Sequence, residues 1–167
     1  MSFIIVIRPF SLSDTPALIT LFRDAVHAIN IQHYSPEQVA MWAPEEMNAE
    51  HWQNKLESWQ KQFTKNITFV AEIDGKIVGF ADMTRDGYLD HLYIHKDYQG
   101  RWVAFRLLKA IEQAARDLGL EKITTDCSIT AKVPAERVGF VVVKEQTVVK
   151  NGVSFINYAM EKKLKKG

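Results

Sequence analysis

Cysteine occurs once, at Cys127, so no internal disulfide can form and the fold rests on its core. Proline and glycine are sparse, 5 and 8 residues in 167, which excludes collagen-like and low-complexity chains. Long apolar runs are missing. The one near the amino terminus, Phe3 to Ile7, stops at Arg8-Pro9, too short for a signal-peptide core or a membrane span. An excess of one charge is also lacking: 21 Lys and Arg face 20 Asp and Glu, a formal net charge of +1. Such a balance offers no global field for nucleic acid or an anionic membrane, so neither is an expected partner. A soluble, cytoplasmic protein is the expectation.

What is present is ordinary for a globular protein: 47% apolar and 25% charged residues. No linker and no internal repeat interrupts the chain, so residues 1–167 read as a single domain. A domain of this size buries roughly 70% of its unfolded surface. Residues 66–167 hold more of the positive charge than residues 1–65. The terminal run Lys162-Lys163-Leu164-Lys165-Lys166 reads as a solvated end.

Patterning predicts a strand over Phe3–Arg8, then a helix start at Ser13-Asp14-Thr15-Pro16. Leu18, Leu21, Phe22, Ala25, Val26 and Ile29 continue it at helical spacing. Ser35-Pro36-Glu37-Gln38 is a second start, broken at Pro44. Trp52, Leu56, Trp59 and Phe63 form another helical stripe. Strands follow over 68–73, 77–83 and 88–95, joined at Asp74-Gly75 and Asp86-Gly87. A long amphipathic helix covers 102–118 and stops at Gly119. Then come a strand over 123–128, a short helix over 130–137, and strands over 140–149 and 154–161 turned at Asn151-Gly152. The order β-α-α-β-β-β-α-β-α-β-β fits a mixed α/β (α+β) domain, a central sheet with helices on both faces.

The stretch from Leu92 to Ala104 runs from a strand through a turn directly into the long helix. The first N–H groups of a helix lack intrahelical partners and its dipole makes that end positive. Arg101 adds a full charge, so the junction suits a diphosphate. The same pattern also describes a routine strand–loop–helix connection.

Leu92-Tyr93-Ile94-His95-Lys96-Asp97-Tyr98-Gln99-Gly100-Arg101 resembles the acetyl-CoA motif of the GNAT superfamily of N-acetyltransferases, Q/R-x-x-G-x-G/A. Gln99 and Ala104 match its ends. Further similarity lies at Ser128-Ile129-Thr130-Ala131, Glu136 to Phe140, and Asn157 to Met160. Gln32 to Gln38 resembles a poorly characterised bacterial subgroup. The resemblance implies a mostly antiparallel mixed sheet and transfer of an acetyl group from acetyl-CoA to an amine by direct attack. It implies that acetyl-CoA lies in a V-shaped opening between the fourth and fifth strands. Backbone at Leu92, Tyr93 and Ile94 would pair with the pantetheine arm. Gln99, Gly100, Arg101, Trp102, Val103 and Ala104 would bind the diphosphate. Ser128 and Ala131 would lie beside the thiol end. The acceptor, a small-molecule amine or a protein N-terminus or lysine, would enter from the side built by the first helices. A homodimer is compatible with it, and no metal is expected.

Two departures stand out. Trp102 occupies the motif's first glycine, where a side chain threatens a clash or offers the nucleotide an aromatic surface. Val133-Pro134-Ala135 replaces the aromatic pair that in many relatives carries a tyrosine acid; Tyr158 is the substitute, or simply packs in the sheet. The fourth strand has no Glu near its start. Asp90 and His91 are the available proton acceptors, and strand alternation turns them to opposite faces. Each also has a structural reading, as an ion-pair partner and as a core histidine. The departures support a rival class: a degenerate GNAT fold binding CoA or another ligand without catalysis. His27, His33 and His51 lack metal-ligand spacing, and Cys127 reads as an inert buried thiol. Trp42, Trp52 and Trp59 line either an acceptor pocket or the core.

Overall fold

The computed structural model describes residues 4–165. Phe3 and Lys166, expected in the first strand and the tail, lie outside them. Among the described residues the elements are β1 (Ile5–Pro9), α1 (Thr15–Ala28), α2 (Pro36–Trp42), α3 (Ala49–Lys65), β2 (Ile67–Ile73), β3 (Lys76–Met83), β4 (Tyr88–Ile94), α4 (Val103–Asp117), β5 (Lys122–Ser128), α5 (Ile129–Arg137), β6 (Val141–Lys150) and β7 (Val153–Lys163). Three helices, not two, separate β1 from β2. The Ser35–Gln38 capping box closes an independent short α2 before Pro44, and Asn48 caps α3 through the His51 N–H.

The sheet order is β1-β2-β3-β4-β5-β7-β6. Every neighbouring pair is antiparallel except β4 and β5, which run parallel. Two hairpins turn at Asp74-Gly75 and Asn151-Gly152 with positive φ at both residues, as two-residue type I′ loops require.

One face of the sheet is covered by α1, α2 and α3. Leu18, Phe22, Val26, Trp59 and Phe63 pack there against Val70 and Phe80. On the other face Val103, Leu107, Leu108, Ile111 and Ala115 of α4 pack against Ala71, Ala81, Met83, Leu89 and Ile123. Gly79 lets α4 approach the sheet: a Cβ there would lie 3.0 Å from Ile94, Val103 and Leu107 side-chain atoms.

Of the basic terminal run, Lys163 and Lys165 are exposed as a solvated end would be, but Lys162 and Leu164 are not. Lys162 pairs with the buried Glu112 of α4. The Leu164 N–H donates to the Glu121 carbonyl at 2.8 Å, and Leu164 packs against the α4 core. Pairing of β7 with β5 carries Lys162 into the sheet, where it offsets the buried Glu112 carboxylate. Pro134 falls past the first turn of α5, yet the helix continues to Arg137.

Candidate active site

Strands β4 and β5 pair only at Tyr88–Thr124 and Leu89–Thr125. The Thr125 hydroxyl donates to the Leu89 carbonyl at 2.8 Å and closes this last contact. Beyond it β4 has no β5 partner, and the two strands open into a V. The His95 N–H bonds the Val78 carbonyl of β3 at 2.8 Å. In an antiparallel pair, bonded and non-bonded positions alternate. The backbone groups of Tyr93 and His91 therefore face β3, and those of Leu92 and Ile94 face the V.

A one-turn 3-10 helix, Lys96–Tyr98, links β4 to α4, and its cap is the His95 ring, which accepts the Asp97 N–H at 3.1 Å. Burial and then the nearby Lys76 charge hold the His95 pKa below its ordinary value, which keeps that ring an acceptor. The Gln99 side-chain N–H donates to the Ile94 carbonyl at 2.9 Å. The motif glutamine thus ties the loop back to the strand it leaves. Arg101 lies over the Tyr98 ring, 5.1 Å from its centroid.

Gly100 and Trp102 both have left-handed backbones, with φ of 72° and 67°. Trp102 is the cap of α4, outside the first helical turn where the sequence reading put it. Its conformation is one that glycine adopts without cost, which is the physical sense of a glycine at this point of the motif. The indole is 72% exposed and meets Phe105 edge to face at 5.6 Å, so it projects away from the packed core. Intrahelical bonding starts with Arg106 N–H to the Trp102 carbonyl at 3.0 Å. The N–H groups of Val103, Ala104 and Phe105 precede it and have no helical acceptor. The Val103 side chain is buried and anchors the turn to the core; Ala104 is exposed.

Ser128 ends β5 and caps α5, its Oγ accepting the Ala131 N–H at 3.1 Å. Asn30 reaches the same Oγ at 3.4 Å. Tyr34 ties the junction further, accepting the Ile129 N–H at 2.9 Å and donating to the Ile156 carbonyl at 2.8 Å. Asn157, paired with Ser128 across the β5–β7 ladder, has a buried Oδ1 with no hydrogen-bond partner. Tyr158 is half-buried beneath Lys132, whose Nζ lies 5.0 Å from the ring centroid. Cys127 faces the core, and burial pushes its thiol up to about 11.

Asp90 and His91 do not point to opposite faces. A register irregularity between Asp82 and Met83 leaves Asp90 without a β3 partner, while His91 pairs with Asp82 and Leu89 with Met83. This bulge adds one residue to β4 and resets alternation. Asp90 and His91 then share the face covered by α1 and α3, with His91 Nδ1 3.8 Å from Asp90 Oδ2. The His91 ring lies among Phe22, Trp59, Phe63, Phe80 and Tyr93. Its Nδ1 is 2.8 Å from Oδ1 of Asp82, a carboxylate with no solvent exposure. Gln62 of α3 and Asn66, the residue that caps its C-terminus, donate to the other Asp82 oxygen at 3.1 and 3.0 Å, and Gln62 also donates to Asp90 at 2.5 Å. Sequence reasoning missed Asp82, Gln62 and Asn157. Only the run of apolar residues around Asp82 in β3 hinted that its carboxylate would be buried.

The tryptophans divide: Trp59 is buried in the core beneath α1, while Trp42 and Trp52 pack half-buried at its edge. His27, His33 and His51 stay apart, His27 on the Ala43 carbonyl and His33 on the Thr130 hydroxyl.

A seven-stranded sheet opened between a parallel β4–β5 pair, with a helix start at the opening, defines a GNAT-type fold. Residues 30–162 match the family described as acetyltransferase (GNAT) domain. An uncharacterized N-acetyltransferase of Escherichia coli strain K12, YafP, is 36% identical over 157 residues, 94% of this chain and 95% of the relative. A GCN5-related N-acetyltransferase from Rhodopseudomonas palustris superimposes with a TM-score of 0.86 at 29% identity, covering 98% of this chain and 99% of that one. The PaiA N-acetyltransferase of Thermoplasma acidophilum, solved with coenzyme A, shares the fold at a TM-score of 0.72 and 22% identity, covering 96% and 99%. This chain belongs to the GNAT family of N-acetyltransferases. Among its described residues no helix is long and apolar enough to cross a membrane.

Proposed function

We propose that this N-acetyltransferase binds acetyl-CoA in the V between β4 and β5 and transfers its acetyl group to an amine delivered from the α1–α3 face. The observation that carries the reading is the meeting of two backbone sets with no sheet or helix partner: the Leu92 groups and the Ile94 N–H on the β4 edge, where Gln99 holds the Ile94 carbonyl, and the α4 start beside it. An extended amide arm suits the first set, and a diphosphate the second. The orphaned Asn157 Oδ1 beside Ser128 adds an acceptor for a polar hydrogen near the end of β5. These donor and acceptor groups fit acetyl-CoA, which supplies the activated acyl group.

In this reading Gln99, Gly100, Arg101, Trp102, Val103 and Ala104 form the diphosphate turn, through backbone N–H groups and the Arg101 charge. Tyr93 contributes backbone to β3 and its ring to the acceptor-side wall, stacked 6.0 Å from Phe80. Ser128 and Ala131 border the thiol end. An ammonium cannot attack a thioester, so a proton must first leave it. His91 takes that proton. Asp90, 36% exposed at the mouth of the same cluster, is the relay to water. Tyr158 is the group that returns a proton to the departing sulfur. We also propose that residues 1–167 form one catalytic domain, that it works in the cytoplasm, and that the acceptor is a small amine or a protein amino group.

The test is thiol release from acetyl-CoA across a panel of small amines and peptides with free N-termini, with calorimetry of acetyl-CoA binding. At least one acceptor supporting turnover is expected. Absence of binding at millimolar cofactor contradicts the reading. Saturable binding without turnover on any amine favours the non-catalytic ligand-binding alternative, which the left-handed Trp102 and the apolar Ala135 would then explain.

A further inference from the structure

We propose that Asp82 is a positioning residue that sets the tautomer of His91; this rests on His91 being the proton acceptor. Asp82 sits in the middle of the sheet with no solvent exposure. A buried carboxylate is tolerated only when its lone pairs are satisfied. Here three donors do this: Gln62 and Asn66 on Oδ2, and His91 Nδ1 on Oδ1. An ionised carboxylate only accepts. The His91 proton therefore resides on Nδ1, and the lone pair is left on Nε2. Two amides, Gln62 from α3 and Asn66 from its C-cap, and one β3 backbone position fix the carboxylate, and the rings of Phe22, Trp59, Phe63, Phe80 and Tyr93 hold the imidazole plane. The charged and titratable groups around that ring are Asp82 from β3, Asp90 and the Tyr93 hydroxyl from β4, and Lys55 from α3, whose Nζ lies 4.8 Å from the Trp59 ring centroid.

During transfer Nε2 accepts a proton from the acceptor ammonium, giving an imidazolium whose Nδ1–H still points at Asp82. The freed amine nitrogen forms the bond to the acetyl carbon, the carbon–sulfur bond breaks with its electron pair on sulfur, and the nitrogen gives its second proton to water through Asp90. The sulfur takes its proton from Tyr158, which regains one from water, and His91 releases its own to water before the next turnover. Asp82 stabilises the imidazolium and keeps its orientation without touching the substrate.

The experiment is long-range proton–nitrogen correlation NMR on the full chain labelled with nitrogen-15 histidine. In the wild-type protein the neutral ring is expected as the Nδ1–H tautomer. In Asp82→Asn, an isosteric change whose amide can donate to Nδ1, the proton is expected to move to Nε2. An Nε2–H tautomer in the wild type, or an unchanged pattern in Asp82→Asn, overturns the proposal. If Asp82→Asn does not fold, the wild-type tautomer alone decides. The underlying reading has its own test: thiol release unchanged in His91→Ala removes His91 as base whatever its tautomer.

Discussion

Gln99 is bonded through its side-chain N–H to the carbonyl of Ile94, five residues earlier at the end of β4. That bond fixes the angle at which the chain leaves the open strand and enters the α4 turn. Gln99→Ala removes it and leaves the overall packing in place. Loss of one such bond is worth about 1 kcal/mol, or roughly a fivefold rise in the Kd for CoA. Calorimetry is the check, and an unchanged Kd would separate Gln99 from the turn's geometry.

Trp102 already has the backbone of a glycine, at φ 67°. Replacing it with glycine relieves a left-handed strain of about 1 kcal/mol, which in a chain of this size raises Tm by about 2–4 °C. Because the indole is mostly exposed, the CoA Kd is expected to change by less than about fivefold. A large gain in affinity would mean that the native turn is degenerate; a large loss would make the indole a contact.

Cys127 is expected to be inert. With its thiol pushed up to about 11, the thiolate fraction at pH 8 is about one in a thousand. Thiol-reactive dye should label the folded protein slowly and the denatured protein at once. Fast labelling of the native chain would place Cys127 at the surface.

His95 gives a pH dependence of known sign. Its pKa is held below the ordinary 6.5 by burial and by Lys76, so the unfolded chain binds its proton first. The stability that the neutral ring contributes is complete above the unfolded pKa and is lost as pH falls below it toward the folded one. Protonation also removes the acceptor for the Asp97 N–H. Urea melts at pH 7.5 and 5.5 should show a decline that is smaller in His95→Gln. Equal declines would assign the effect to other groups.

Much of the fold was legible because local chemistry and tertiary structure agree. Ser35 and Gln38 cap α2 reciprocally, Asp74-Gly75 and Asn151-Gly152 turn where expected, and the α4 stripe from Val103 to Ala115 faces the sheet. The β4–α4 junction was legible for the same reason: its residues are consecutive. Asp90 and His91 were found, but not their common face, since a single bulged residue leaves no mark on alternation. The meeting of Asp82, Gln62 and Asn66 with His91 left no mark in the sequence. They join His91 only through the β3–β4 register and the seating of α3, and such long-range contacts have no sequence period. Lys162 misled because composition suggests solvent, whereas its ammonium answers the charge of Glu112.

The central claim is that the open edge of β4 receives acetyl-CoA. Amide hydrogen exchange at Leu92 and Ile94, measured with and without saturating acetyl-CoA, tests it most directly. Protection of one or both of these N–H groups, together with those of Val103 to Phe105, is the predicted result. Exchange at all of them unchanged under saturation would contradict it.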